Sequence, residues 1–539
     1  MNWALWVDAT VILAYFVLIV GIGLYAGRNN NSLREFALGG HKIPWWAVLA
    51  SIIAAETSAA TFLGTPGEGY KDLSFAYAQL AIGTILARIV IAYLFIAPYF
   101  KHKVQSIYEF LTVRFGPRTK DMASGIFLLS RVLGIGVRLY LGGVILVVIW
   151  RYLFPGEAVT VSTYFWGIVF ITLVTTLYTA VGGIKAVVWT DLIQACLMLG
   201  AAAFAVFTIF YHIPGGWQTI NDRLSGHDID MFRTGWDATK PFGEALKGML
   251  ENPYTIFAAV IGSTFFTMAT HGTDQDMVQR MLTAENPAKS RFSLILSGFA
   301  DIPIVLAFLV VGILLWVYYQ VNHDPNLPKV TNEIFAHYIV NSMPMGIRGL
   351  IIAGVFATMM GSTSAALNAL ATSFIRDFYQ PYIRPAAEDA QAVRAARIAT
   401  VVFGILMIVV ATAVAYAALE TNVTIIPLAI GILGYGYGAI LGVFLLGVLT
   451  QRRGHDVANV VGMVLGIAAV LILAKIEIPY YTDPATKVVH KIAFGGFMPD
   501  WWPAISWPYF VLIGCSVTFV FSVLFPSRRV IEAPIKAAS

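Results

Sequence analysis

Apolar runs long enough to cross a hydrocarbon core of about 30 Å recur along almost the whole chain. They lie at roughly 9–26, 45–64, 75–100, 122–152, 162–181, 187–211, 253–272, 292–319, 349–374, 399–418, 425–449, 457–474 and 507–525. Lipid offers no hydrogen bonds, so each crossing segment must satisfy its own backbone, which helices do. The expected fold class is therefore an all-α polytopic membrane protein with about 13 transmembrane helices. Composition agrees. Charged residues make up 12% of the chain, against roughly 25% in soluble domains. The first run lacks a basic flank and is long enough to span, so it reads as a first span rather than a cleaved leader.

Thirteen crossings put the termini on opposite sides, and the basic residues choose which. Most of the 35 Lys and Arg residues fall in one set of alternate loops, including Lys101, Lys103, Arg114, Arg118, Lys120, Arg376, Arg384, Arg394 and Arg397. Basic loops stay cytoplasmic, which sets the N-terminus outside and the C-terminus inside. Arg88, Arg131 and Arg138 lie within spans. The net charge of +5 is spread over short loops and does not indicate nucleic acid. Cys196 and Cys515 both sit in apolar runs, so neither a disulfide framework nor a thiolate metal site is expected. Residues 212–250 and 475–506 read as exterior segments, the first with some short helix. Trp501, Trp502 and Trp507 in the second read as interface anchors.

One run is not built to face lipid. Trp46–Tyr70 begins as an apolar helix and is interrupted by Ala-Ala-Glu-Thr-Ser-Ala-Ala-Thr. It then runs into Gly64, Pro66, Gly67 and Gly69. A carboxylate among small hydroxylated residues, about 14–20 Å into the membrane, reads as a broken helix whose freed backbone lines a cavity. The alternative is that Glu56 pairs with a buried arginine, Arg88 or Arg138. The ninth span carries Ala357-Thr-Met-Met-Gly-Ser-Thr-Ser364 at a similar depth. Thr358, Ser362 and Ala365 share one face, as do Gly361, Ser364 and Asn368. Carbonyls and hydroxyls from two such segments suit a small hard cation, although small residues also serve close helix packing. Asp191, a few residues inside the sixth span, either binds a cation or caps a loop.

The stretch Thr176-Leu-Tyr-Thr-Ala-Val-Gly-Gly-Ile-Lys-Ala-Val-Val-Trp-Thr-Asp191-Leu-Ile-Gln194 resembles the signature of the sodium:solute symporter family. Phe36–Trp45, Gly438–Gly447 and the ninth-span end through Leu367-Asn368 to Arg376-Asp-Phe-Tyr379 resemble it as well. The resemblance implies a leucine-transporter-like core of 5+5 inverted repeats with broken helices. It divides the chain into 1–44 (extra helix and cytoplasmic loop), 45–211 (first repeat), 212–252 (exterior loop), 253–450 (second repeat) and 451–539 (two further helices and a short tail). It implies solute import by alternating access, with sodium as the co-transported ion. A main sodium site is implied at Ala54, Thr57, Thr358, Gly361 and Ser362, where relatives usually carry a hydroxyl residue at the position of Gly361. A second sodium is implied at Asp191 and Ser364, its other hydroxyl position being Ala365.

The resemblance also bears on the solute. Sugar-carrying relatives differ at the positions of Glu56, Thr61, Leu80, Asp301 and Ile430, so a hexose is not expected. Candidate solute contacts are Glu56, Thr61, Gln79, Thr267, Thr270, His271 and Asp301; His271 equally fits an interior helix end. Glu56 at mid-depth favours a solute with an amino group or several hydroxyl donors over a simple anion. The expected function is a sodium-coupled symporter of a small polar organic solute, working as a monomer in the bilayer of a bacterial inner membrane. A proton-coupled carrier in which Glu56 titrates, or a membrane sensor on the same fold, are the alternatives. No nucleophile constellation or metal-ligand cluster suggests an enzyme.

Overall fold

The computed structural model describes residues 3–28, 32–154, 157–420, 426–482, 486 and 489–527. The side chain of Ile430, and Arg528, Arg529 and Lys536, lie outside the described part. In chain order the helices are α1 (Trp3–Ala26), α2 (Trp45–Glu56), α3 (Ala59–Asp72), α4 (Leu80–Leu94), α5 (Pro117–Leu153), α6 (Val161–His212), α7 (Trp217–Leu224) and α8 (Phe242–Glu251). There follow α9 (Thr264–Gly272), α10 (Gln275–Leu282), α11 (Pro287–Val321), α12 (Thr331–Ser342), α13 (Ile347–Ser373), α14 (Asp389–Glu420), α15 (Ile426–Leu449), α16 (Asp456–Leu473) and α17 (Phe510–Val523). Among the described residues eight helices are long and apolar enough to cross a membrane, and nine when α2 and α3 count as one bent span. Two shorter apolar helices, Leu433–Leu449 and Trp507–Val523, accompany them.

The apolar helices differ in how far their neighbours enclose them. In α13 94% of the most apolar window is buried inside the protein, against 28% in α1. So α13 is the central helix and α1 a peripheral one. The Arg348 Nε of α13 nevertheless reaches Asp8 of α1, donating to Oδ2 at 2.6 Å.

The fifth and sixth apolar runs fall on one element, α6, which bends at Gly183 (φ 54, ψ −151). A Cβ there would meet the Phe36 carbonyl at 2.5 Å, so the bend needs glycine for both its backbone angle and its close contact. The seventh run is π-helical over Ala258–Ser263 before α9 begins, and the chain breaks again at Thr273–Asp274 between α9 and α10. Thus two spans, at 45–72 and at 253–272, are interrupted. Asp274 caps α10, accepting from the Asp276 N–H at 2.8 Å.

The glycines after the first break do not end that helix. α3 runs to Asp72 with Pro66 inside it. Instead they let neighbours close in. A Cβ on Gly69 would lie 2.5 Å from the Leu309 carbonyl of α11, and one on Gly67 2.7 Å from Asn332 Oδ1 of α12.

The 212–250 segment contains α7 and the start of α8, as expected. The 475–506 segment departs from the all-α expectation. Glu477–Thr482 (β1) and Val489–Ala493 (β2) pair as an antiparallel hairpin with an irregularity between Pro479 and Tyr481. Trp502 anchors it to the bundle, its indole N–H donating to the Leu473 carbonyl at 2.8 Å, whereas Trp501 is exposed.

Candidate functional site

The break between α2 and α3 frees oxygen atoms. Thr57 leaves helical geometry (φ −79, ψ 89). The Ser58 N–H then turns to the Glu56 carbonyl at 3.0 Å rather than to Ala54 four residues back. The Ala54 carbonyl therefore loses its helical partner, the state in which a carbonyl can accept a cation. α3 restarts at once, with the Thr61 and Phe62 N–H groups on the Ser58 carbonyl, both at 2.9 Å.

α13 passes beside this break. Its hydroxyls spend their protons within the helix: Thr358 Oγ1 on Val355, Ser362 Oγ on Thr358 and Ser364 Oγ on Gly361, at 2.8, 3.0 and 3.1 Å. A hydroxyl that donates this way keeps its lone pairs for another ligand. At Gly361 the two elements meet. A Cβ there would lie 3.6 Å from the Ala54 carbonyl oxygen. Ala54, Thr358, Gly361 and Ser362 are thus brought together. Among the described residues no group of three or more His, Cys, Asp or Glu gathers as a metal cluster. The donors here are neutral oxygens, the set that suits a monovalent cation.

Asp191 is fully buried and already ion-paired. Its Oδ2 accepts from Ser51 Oγ at 2.6 Å and from Arg280 Nη2 at 3.0 Å. Arg280 also holds Asp276 and donates its Nε to Ser51 at 2.8 Å. Asp276 in turn pairs with Arg131 of α5. Arg131 Nη1 lies 3.2 Å from Asp274 Oδ2, which also accepts from the Tyr437 hydroxyl of α15 at 2.6 Å. This network joins α2, α5, α6, α10 and α15 at one end of the bundle. Apart from the i, i+4 spacing of Asp276 and Arg280, no local pattern announces these pairs, because Asp191 lies 89 residues from Arg280 and the partners of Arg131 lie on another helix.

Glu56 points its two oxygens at two protein partners. Oε2 lies 2.5 Å from Arg88 Nη2 of α4, and Oε1 2.5 Å from His271 Nε2 of α9. Thr270 Oγ1 contacts the other ring nitrogen at 2.9 Å. The arginine-partner reading of Glu56 is therefore the one the geometry carries. Gln79 is turned elsewhere, its amide donating to the Tyr254 carbonyl at 2.8 Å. Thr267 is buried on α9; Thr61 and Asp301 are partly buried on α3 and α11.

A cavity opens where the break meets α5 and α13. It is lined by Ser58, Ala59, Ile135, Arg138, Leu139, Thr358, Met359, Ser362 and Thr363. Among the described residues no carboxylate stands within 4.0 Å of Arg138. In the sequence Arg138 stands out only as a neutraliser for Glu56. The available signal was an arginine inside a span with no acidic residue one turn away.

The sodium:solute symporter family matches residues 36–466. The chain is similar to a sodium/sialic acid symporter of Proteus mirabilis, 29% identical over 86% of this chain and 89% of that one. A sodium/sialic acid symporter of Aliivibrio fischeri is 30% identical over 85% and 86%. A solved structure described as the substrate-bound outward-open state of a Na+-coupled sialic acid symporter superposes with a TM-score of 0.77. It is 25% identical and covers 96% of this chain and 97% of its own.

Proposed function

The chain belongs to the sodium:solute symporter family, and from that premise we propose that its solute is a small polar organic acid whose carboxylate is held by Arg138. It is a multi-pass sodium-coupled transporter and not an enzyme. One observation carries the proposal: Arg138 lines the cavity beside the broken span with no acidic partner among the described residues. An arginine at membrane depth is costly unless an anion or water meets it. A carboxylate accepts its two-pronged donor set in a way a neutral sugar does not. The similar symporters named for sialic acid carry an acid rich in hydroxyl and amide groups, which supports the same class.

Further solute contacts are proposed on Glu56, Thr61, Thr267, Thr270, His271 and Asp301, which would take hydroxyl or amino donors of the solute. Gln79, tied to the 254 region, has the weakest claim. Sodium is proposed on the oxygens of Ala54, Thr57, Thr358 and Ser362 beside Gly361, with a more cytoplasmic ion at Asp191 and Ser364. The division into 45–211 and 253–450 as inverted halves fits the two interrupted spans. The protein is proposed to work as a monomer in a bacterial inner membrane, N-terminus outside and C-terminus in the cytoplasm, from the distribution of basic loops.

The test is uptake into proteoliposomes of organic acids, neutral sugars, polyols and amines, with and without a sodium gradient. An acid should be the preferred solute. Arg138→Gln should raise its half-saturating concentration at least tenfold, with Arg138→Lys intermediate. Preference for a neutral or cationic solute, untouched by Arg138→Gln, overturns the assignment.

A further inference from the structure

The peripheral helix α1 grips two inner helices at the points where their positions are set. Asp8 is the only charged residue in α1, and it is buried. The first turn of α13 has backbone N–H groups without a helical acceptor, and Gly346 (φ 82), which leads into it, has no side chain to meet them. Asp8 meets them from the other helix. Its Oδ1 accepts from the Gly346 N–H at 2.7 Å and from the Gly349 N–H at 3.0 Å, while its Oδ2 accepts from Arg348 Nε at 2.6 Å. A Cβ on Gly349 would lie 2.8 Å from the Asp8 Cα, so the two backbones touch. Further along α1, Phe16 packs on Phe356 with ring centroids 5.5 Å apart, and the Tyr15 hydroxyl donates to Met360 Sδ at 3.6 Å. At the other end Gly23 and Gly27 have the spacing that lets membrane helices approach closely. They meet α6 at its bend: a Cβ on Gly27 would lie 2.0 Å from the Gly182 Cα, and one on Gly23 2.7 Å from the Tyr178 Cβ.

We propose that α1 is a clamp holding α13 at a fixed height and roll against the α6 bend, and that Asp8 is a positioning residue for ion binding at the broken span. The inference rests on the reading that sodium sits among the oxygens of Ala54, Thr57, Thr358 and Ser362. Thr358 and Ser362 lie about 12 and 16 residues beyond Gly346, roughly 18 and 24 Å along the helix axis. A helix is a rigid element, so a slide or roll at its start is passed to its middle. A binding constellation is productive only when its groups are held to within about 0.5 Å. With no cap of its own, α13 takes its register from the carboxylate that α1 supplies. The glycine contact at Gly182 in turn fixes α1 against α6. A lone carboxylate inside a peripheral apolar helix is costly, and three hydrogen bonds to α13 account for its presence.

The experiment measures thermal stability of the purified full chain in detergent, without solute, as sodium replaces choline at constant ionic strength. Wild type should gain stability with a saturable sodium midpoint. Asp8→Leu removes the cap but also strands Arg348, so it is compared with Asp8→Leu combined with Arg348→Leu, which removes the stranded charge. The double variant should recover at least half of the melting temperature that Asp8→Leu loses in choline. Its sodium midpoint should nevertheless stay raised at least fivefold, because α13 is still uncapped. Asp8→Asn keeps an acceptor for the two N–H groups and should move the midpoint less than twofold. Gly27→Ala, which leaves Asp8 and α13 untouched and pushes α1 off the α6 bend, should raise it at least threefold. A double variant whose midpoint returns to within twofold of wild type overturns the clamp while the sodium reading stands, since a purely structural pair would restore both quantities together. A Gly27→Ala midpoint within twofold of wild type, or an Asp8→Asn midpoint raised as far as that of the double variant, overturns it as well. No sodium shift in wild type overturns the sodium reading itself, and the clamp's role in ion binding with it.

Discussion

Replacing Arg131 by methionine should loosen one end of the bundle through a single buried charge. Its guanidinium is 5% exposed, and its partners Asp274 and Asp276 are 0% and 2% exposed. With Asp191 and Arg280 they form a buried group of three carboxylates and two guanidiniums. Taking out Arg131 leaves three carboxylates facing one cation. Breaking a buried pair from one side costs about 3–5 kcal/mol, because the abandoned charge stays in a poorly solvated place. The strain falls on the α9–α10 break, since Asp274 and Asp276 begin α10. If the network forms in only one arrangement of the bundle, that arrangement loses roughly two to three and a half decades of relative population. Hydrogen exchange read by mass spectrometry across 117–131 and 274–282 reports this opening, and chemical denaturation of the same variants reports the energy. Arg131→Met should accelerate exchange in both segments. Arg131→Met combined with Asp276→Asn should recover much of the loss, with a coupling energy of at least about 1.5 kcal/mol. A double variant no better than the sum of its parts, with exchange unchanged in 274–282, would refute the reasoning.

Ser362→Ala removes one neutral oxygen beside the helix break and should cost about 1–3 kcal/mol of sodium binding. It should raise the sodium needed for half-maximal uptake while the solute affinity at saturating sodium stays close to wild type, and identical sodium curves count against Ser362 as a ligand. Arg88→Met strands Glu56 and should lower folded yield sharply in fluorescence-detected size exclusion; adding Glu56→Gln should restore it, and failure of that rescue would mean that Arg88 acts through packing rather than through the pair.

Periodicity and length reveal where this chain crosses the membrane but not how its crossings pair. The break at Thr57–Ser58 was readable because a carboxylate and small hydroxylated residues interrupt an apolar run. The bend at Gly183 was not, since Gly182-Gly183 lies between two runs that look separate yet form one kinked helix. Gly64, Gly67 and Gly69 read as helix breakers, while their packing against Leu309 and Asn332 makes them contact points inside a helix. That distinction depends on α11 and α12, which are more than 200 residues away. The hairpin at 477–493 hid in a segment too short and too rich in Pro and aromatic residues to show a clean alternation. Site oxygens on α2 and α13 were legible as residue types at a common depth. Arg280 beside Asp191 was not, because an ion pair between distant spans leaves no local pattern, whereas Arg88 was one of the two arginines the sequence offered as a partner for Glu56.

Charge pairing across the membrane core separates structural from transport roles. Asp8 is met by Arg348, Glu56 by Arg88 and His271, Asp274 and Asp276 by Arg131, and Asp191 by Arg280. Each of these pairs joins two different helices, which is what a bundle without a hydrophobic driving force between its helices needs from polar groups. Arg138 stands apart: it projects into the cavity at the broken span, and no carboxylate among the described residues lies in reach. Asp191 is divided, with one oxygen on Arg280 and the other unpartnered toward Gly361. A positive side chain without a protein anion, and a carboxylate oxygen without a protein cation, are complementary to an organic anion and to sodium respectively. On the proposed reading, one sodium bound with the organic anion adds no net charge to the core, which gives a physical reason for the two to cross together rather than singly.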